Sequence, residues 1–269
     1  MHKKDDGLEW QIGVWDRLSQ LYLDEIDRRF MPIVSHCVEL ARLRPGEEVL
    51  DLGTGTGAVA VAAGRIVGAN GNALGVDVSP EMLRIAEARV SALGLDNVRV
   101  VEGRAEQIPA DSEAFDALIA SLAFMYVIDR EAAARECARV LRPDGRFVAA
   151  VWAGPEQADI VRFQQTAGSF APPPPVTGVG PGALSDPIAF LEQLSRAGID
   201  AQVETETFNF DFATFDEAWE VLASVTTAQL APERRDEARR SVREQMWTDP
   251  QSPRTFQNTA QFLVGQRRT

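Results

Sequence analysis

EEVLDLGTGTGAVAVAA, residues 47–63, reads as a strand, Val49 to Leu52, turning through three glycines into a helix, Ala58 to Val67. Glycines at such a turn let the backbone approach a ligand closely, and the helix N-terminus that follows is aimed at it. The spacing Gly53-x-Gly55-x-x-Ala58 satisfies the loose dinucleotide fingerprint, and Asp77 stands where a ribose-binding acid is expected, about 20 residues beyond the turn. Asp51 points the other way. A carboxylate two residues before Gly53 would face a dinucleotide's pyrophosphate, and like charges at close range repel. A ligand carrying an ammonium or a sulfonium would be attracted instead.

Outward from that turn the chain alternates. Strand Ala73 to Val78 leads to helix Pro80 to Leu93, and strand Val98 to Glu102 to a short polar connection. Strand Phe115 to Ser121 precedes helix Arg130 to Leu141, and strand Arg146 to Trp152 follows the turn Pro143-Asp144-Gly145. Strands separated by helices imply crossovers and a mainly parallel sheet with helices on both faces, an α/β fold. Two helices precede it, Trp10 to Arg29 and Pro32 to Leu43, with Pro32 ending the first and opening the second. Beyond Ala153, Pro172 to Pro175 and the glycines at 178, 180 and 182 predict a loop over the sheet. Helix Pro187 to Ala197, strand Ala201 to Phe210, helix Thr214 to Val225, a helix Pro232 to Met246 folding back on it, and strand Thr255 to Gln266 complete the reading. We divide the chain into an N-terminal helical lid (1–43), a core (44–152), and a C-terminal part (153–269) with cap insertions at about 153–186 and 211–250.

Four segments in order, EEVLDLGTGTG (47–57), ALGVDVSPEML (73–83), VRVVEGRAEQIP (98–109) and FDALIASLAFMYVIDREAAARECARVLRPDGRFVAAVW (115–152), carry a close resemblance. The chain resembles the class I S-adenosylmethionine-dependent methyltransferases, especially the group related to ubiquinone and menaquinone biosynthesis methyltransferases. The resemblance implies a Rossmann-like seven-stranded sheet with a reversed last strand. It implies S-adenosylmethionine as cofactor and S-adenosylhomocysteine as product. Gly53, Gly55 and Gly57 would line the methionine portion, with Asp51 facing its amino group. Asp77 would hold both ribose hydroxyls, a chemically sound use of one carboxylate. Val78 and Met82 would pack on the adenine, and Ala105 and Glu106 would meet its edge; Arg104 departs from the family's more usual Asp or Asn. Ser121 and Leu122 would border the sulfonium and open into the substrate pocket. Tyr22 is a further candidate to close over the cofactor.

Methyl transfer is an in-line displacement, so alignment and exclusion of water can do much of the work, and a base is needed only when the acceptor must lose a proton. His36 and Tyr126 are the candidate catalytic groups. Phe124, Tyr126, Trp152 and Trp219 are the candidate substrate-contacting rings. Core packing competes with function for each of these, and for Trp15.

A net charge of −13 and a pI near 4.7 disfavour nucleic acid and anionic membrane partners and favour small molecules. Cys37 and Cys137 fit no metal spacing and share helical faces with apolar residues, so both are expected in the core. With only His2 and His36 as histidines, no metal is expected. No signal-like or membrane-spanning run is present, so a reducing, cytoplasmic setting is expected. Dimerisation through the cap or the N-terminal helices stays open. Two rival readings also stay open: a protein that binds the cofactor without turnover, and a nicotinamide-dependent oxidoreductase using the same turn.

Overall fold

The computed structural model describes residues 3–228 and 230–269, so His2 lies outside the described residues. Seven strands, β1 (Glu48–Leu52), β2 (Asn72–Asp77), β3 (Val98–Glu102), β4 (Phe115–Ser121), β5 (Leu141–Trp152), β6 (Ile199–Phe212) and β7 (Arg254–Arg267), form one sheet. Their order across it is β3-β2-β1-β4-β5-β7-β6. β1 to β5 pair in parallel, and β7 runs antiparallel between β5 and β6. Parallel interior strands need cover on both faces. Accordingly Val49, Leu50, Leu118 and Ile119 in the central strands are fully buried.

The helices are α1 (Lys3–Leu21), α2 (Asp27–Ala41), α3 (Ala58–Val67), α4 (Pro80–Ala92), α5 (Arg130–Val140), α6 (Asp159–Gly168), α7 (Ile188–Ala197), α8 (Phe215–Leu222), α9 (Ser224–Thr227) and α10 (Pro232–Met246). Local chemistry sets several of their starts. The Ser79 hydroxyl accepts the Met82 N–H at 3.2 Å with Pro80 at the first helical position of α4, and Asp129 accepts the Ala132 N–H at 3.0 Å to cap α5. Both free cysteines are buried, as expected.

Three expectations are corrected, and one helix is added. Pro32 does not divide the first two helices: it lies inside α2, and the break is a π-helical turn at Tyr22–Ile26. A proline late in the first turns removes only one hydrogen bond, whereas the wider π turn rotates Tyr22 relative to α1. The stretch 172–182 is irregular, as expected, and α6 precedes it in a segment to which the sequence reading assigned no element; its buried Ile160, Phe163, Gln164 and Ala167 follow helical spacing. The Pro143-Asp144-Gly145 turn is incorporated into β5 as an irregularity, with the register against β4 shifting between Phe115 and Ala117 and Asp144 at φ 60°. Finally, α10 packs chiefly on α6 and reaches α8 through the Arg239–Asp216 pair at 2.7 Å.

Candidate functional site

The C-terminal ends of β1, β2 and β4 converge on a cavity, the position where open parallel sheets hold ligands. The glycine turn is stitched to β2, because the N–H groups of Gly53 and Thr54 both donate to the Val76 carbonyl at 2.8 and 3.0 Å. Gly53 has φ 74°, and a Cβ there would lie 2.4 Å from that of Ala123. Gly55 has φ 53° and faces open space. Its N–H donates to Asp77 Oδ2 at 2.8 Å, while the Ser79 N–H donates to Oδ1 at 2.9 Å. Asp77 is thereby fixed with its carboxylate toward the cavity. Burial pushes its carboxyl above the usual range, and the Ser79 and Gly55 N–H groups pull it back. At the end of β4, Leu122 adopts a left-handed φ of 58°, a costly conformation for a non-glycine residue, which turns the chain so that Ser121 and Leu122 line the space.

The cavity is closed from above by α1. Leu8, Gln11 and Trp15 line it, as does Tyr22 in the π turn. Gln11 Nε2 donates to the Tyr126 carbonyl at 2.8 Å, and Ser79 Oγ donates to Asp16 Oδ1 at 2.6 Å. Trp15 meets Tyr126 edge-on at 4.8 Å. Of the predicted cofactor residues, Gly53, Gly55, Asp77, Val78, Met82, Ala105, Glu106, Ser121, Leu122 and Tyr22 all line this cavity. Its described charged lining is acidic: Asp77, and Glu106 at 3.6 Å from Arg104 Nε.

A second cavity adjoins the first, sharing Trp15, Tyr22, Leu122 and Tyr126 and extending between Phe30, Trp152, Ile160 and Gln164. Burial drives the Tyr22 and Tyr126 hydroxyls well above the ordinary phenol range, so both are neutral donors at physiological pH rather than bases.

Two predicted residues support the turn from behind instead of lining either cavity. Asp51 is 1% exposed, and its Oδ2 accepts from Thr54 Oγ1 at 2.5 Å and from the Ala60 N–H at 2.9 Å. Burial raises its carboxyl to about 7. Gly57 caps α3 at φ 82°, with its missing side chain letting Ala86 approach. Phe124 borders the first cavity while stacking on Phe190 at 4.8 Å.

His36 and Trp219 lie outside both cavities. Ile33 and Cys37 take the core-facing positions of α2, so His36 is turned toward β6 and β7, with Nε2 3.1 Å from Glu206 and its ring 4.6 Å from Phe262. Trp219 is buried between Phe163 and Phe215 at 6.1 and 6.2 Å. Sequence reasoning missed Leu8, Gln11 and Gln164; only the helical periodicity around the last could have flagged it. Among the described residues no group of three or more His, Cys, Asp or Glu could hold a metal, and no helix is long and apolar enough to cross a membrane.

Comparison with known proteins agrees with this geometry. Residues 49–145 match the family model of the methyltransferase domain. The nocamycin O-methyltransferase of Saccharothrix syringae is 38% identical over 136 residues, covering 50% of this chain and 48% of that protein. The ubiquinone/menaquinone biosynthesis C-methyltransferase UbiE of Vibrio vulnificus is 35% identical over 112 residues, covering 41% of this chain and 43% of that protein. The match thus spans about half the length of these relatives. The YcgJ protein from Bacillus subtilis shares the fold with a TM-score of 0.65 at 24% identity, over 88% of this chain and 98% of that one. Motif order, sheet topology and matched sequence together make residues 49–145 a domain of the class I S-adenosylmethionine-dependent methyltransferase family.

Proposed function

We propose that this chain transfers a methyl group from S-adenosylmethionine to the oxygen, nitrogen or carbon of a small, partly hydrophobic metabolite. The observation that carries the reading is the pair of adjoining cavities: an acidic, glycine-edged one at the strand ends, opening past Leu122 into an aromatic one. The residues of the first cavity suit the cofactor. Gly55 leaves room where a side chain would intrude, and each Asp77 oxygen accepts one N–H and keeps a lone pair for a ribose hydroxyl. Acidic walls attract a sulfonium and repel a pyrophosphate, which supports this cofactor over a dinucleotide.

When bound, S-adenosylmethionine supplies an electrophilic methyl carbon on a positively charged sulfur. In this reading Asp77 holds the ribose, Val78 and Met82 pack on the adenine, and Ser121 and Leu122 set the border between the two cavities. Tyr22, Trp15 and Tyr126 exclude water from the point where donor and acceptor meet, so catalysis rests on alignment and desolvation. Residues 1–43 act as the lid, held shut by the Gln11 and Asp16 hydrogen bonds. We also place the protein in the cytoplasm, without nucleic acid or membrane partners; a homodimer is compatible with this.

Incubation with S-adenosylmethionine carrying a labelled methyl, against a panel of apolar phenols, amines and quinols, tests the reading. Label transferred with release of S-adenosylhomocysteine supports it. Cofactor binding with no transfer across the panel would leave a binding protein in its place.

A further inference from the structure

The second cavity is walled by five aromatic rings, Trp15, Tyr22, Phe30, Tyr126 and Trp152, and by aliphatic side chains. Rings meet edge-on around it, Trp15 with Tyr22 at 6.5 Å, Tyr22 with Phe30 at 6.2 Å, and Phe30 with Trp152 at 5.6 Å. No Asp, Glu, Lys, Arg or His lines it among the described residues. Asp77, in the adjoining cavity, and Asp27, ion-paired with Arg89 at 2.8 Å, both act on the Tyr22 hydroxyl. An anionic guest would lose its hydration and gain no cation from this lining.

One polar side chain breaks this wall from the cap side. Gln164, on α6, is only 6% exposed. Its Nε2 donates to the Leu222 carbonyl at 3.4 Å, which ties the amide to the end of α8 and fixes its orientation. Its Oε1 accepts no hydrogen bond among the described residues, although the residue borders the cavity. With no donor from the protein among the described residues, the Oε1 of this largely buried side chain can accept one from a ligand.

We propose that the second cavity is the acceptor subsite and that Gln164 is its specificity-determining residue, accepting a hydrogen bond from an O–H or N–H of an apolar, non-anionic acceptor. The proposal rests on the methyltransferase reading and narrows it. Carboxylate- and phosphate-bearing acceptors are rejected by the same walls that accept a phenol, an alcohol or an amine. The donor group also gives the guest a fixed direction in a cavity whose other polar groups include the Tyr22 and Tyr126 hydroxyls.

The test uses the full chain saturated with S-adenosylhomocysteine, so that the first cavity is filled, and reads quenching of the fluorescence of its five tryptophans, of which Trp15 and Trp152 wall the second cavity, by three probes: naphthol, naphthalene and naphthoate. Wild type should bind naphthol about tenfold more tightly than naphthalene, the worth of one hydrogen bond to a buried acceptor, and naphthoate least of all. In Gln164→Leu the preference for naphthol over naphthalene should vanish while naphthalene binding is kept. Gln164→Glu, which retains an acceptor, should keep the preference for naphthol and bind naphthoate still more weakly. Thermal melts of each variant separate loss of fold from loss of selectivity, and naphthalene binding supplies an internal check. A naphthol preference that survives in Gln164→Leu, or a wild type that prefers naphthoate, overturns the proposal. Failure of S-adenosylhomocysteine to saturate the wild type overturns the underlying methyltransferase reading instead, and calorimetry reports that separately.

Discussion

Two glycines two residues apart should respond to the same substitution differently, one chiefly in stability and the other chiefly in cofactor binding. At Gly53 an added Cβ lies 2.4 Å from the Ala123 Cβ, about 1 Å inside contact distance, and φ is 74°. The left-handed backbone costs about 1–2 kcal/mol for a residue with a Cβ, and overpacking a tight site costs roughly 1–3 kcal/mol more. Gly53→Ala should therefore lose about 2–5 kcal/mol, a large share of the roughly 5–15 kcal/mol that holds a domain together. At Gly55 the added Cβ meets nothing within 4 Å, so only the backbone term of about 1–2 kcal/mol applies. That methyl, however, points into the space assigned to the cofactor, next to the N–H that holds Asp77. Thermal melts should show Gly53→Ala falling by roughly 5–15 °C and Gly55→Ala by only a few degrees. Calorimetry with S-adenosylhomocysteine should show the larger loss per degree of destabilisation in Gly55→Ala, about tenfold or more in Kd. A Gly55→Ala protein that binds as wild type does, or a Gly53→Ala protein that melts normally, would refute the placement of the turn.

Asp51 predicts a pH dependence with a defined sign. Its carboxyl rises from the usual 3.8 to about 7 because burial disfavours the charged form. Between those values the folded protein holds a proton the unfolded chain has released, so its contribution to stability falls as pH rises across that window and is flat above it. Asp77 is shifted the same way and adds to the slope. The sulfonium of S-adenosylmethionine favours the ionised form, so S-adenosylmethionine affinity should instead climb by up to about tenfold per pH unit below 7 and level off above, and Asp51→Asn should flatten that climb in titrations from acid to neutral pH. Trp219→Ala should cost about 3–5 kcal/mol in a denaturant melt yet leave acceptor selectivity unchanged, because the ring packs on Phe163 and Phe215 and borders neither cavity. Asp16→Ala removes the acceptor of the Ser79 hydroxyl and should speed S-adenosylhomocysteine release several-fold in stopped-flow fluorescence, with little change in melting temperature.

The parts of the site that local chemistry controls were readable from residues alone. The glycine turn, Asp77 and the helix opening at Pro80 each declare themselves through rules that operate within a few positions, and α3 begins and ends where its pattern says. Contacts made across the chain were not. Gln11 reaches the carbonyl of Tyr126 and Asp16 reaches Ser79 because α1 folds over the strand ends, and nothing near either residue announces that. His36 shows the same limit from the other side. A one-residue step on α2 separates the buried Cys37 from a ring that faces β6, and composition does not say which face the sheet takes. For α6 the helical period was present, but the segment between Trp152 and the prolines at 172–175 was assigned no element.

The central claim is that the acidic, glycine-edged cavity holds S-adenosylmethionine through Asp77. Calorimetric titration of S-adenosylhomocysteine into wild type and Asp77→Ala, with NADH as comparison, tests it most directly. The account predicts binding to wild type, a loss of about a hundredfold or more in the variant for two charge-assisted hydrogen bonds, and silence toward NADH. No heat with S-adenosylhomocysteine, or equal affinity in the two proteins, would contradict it.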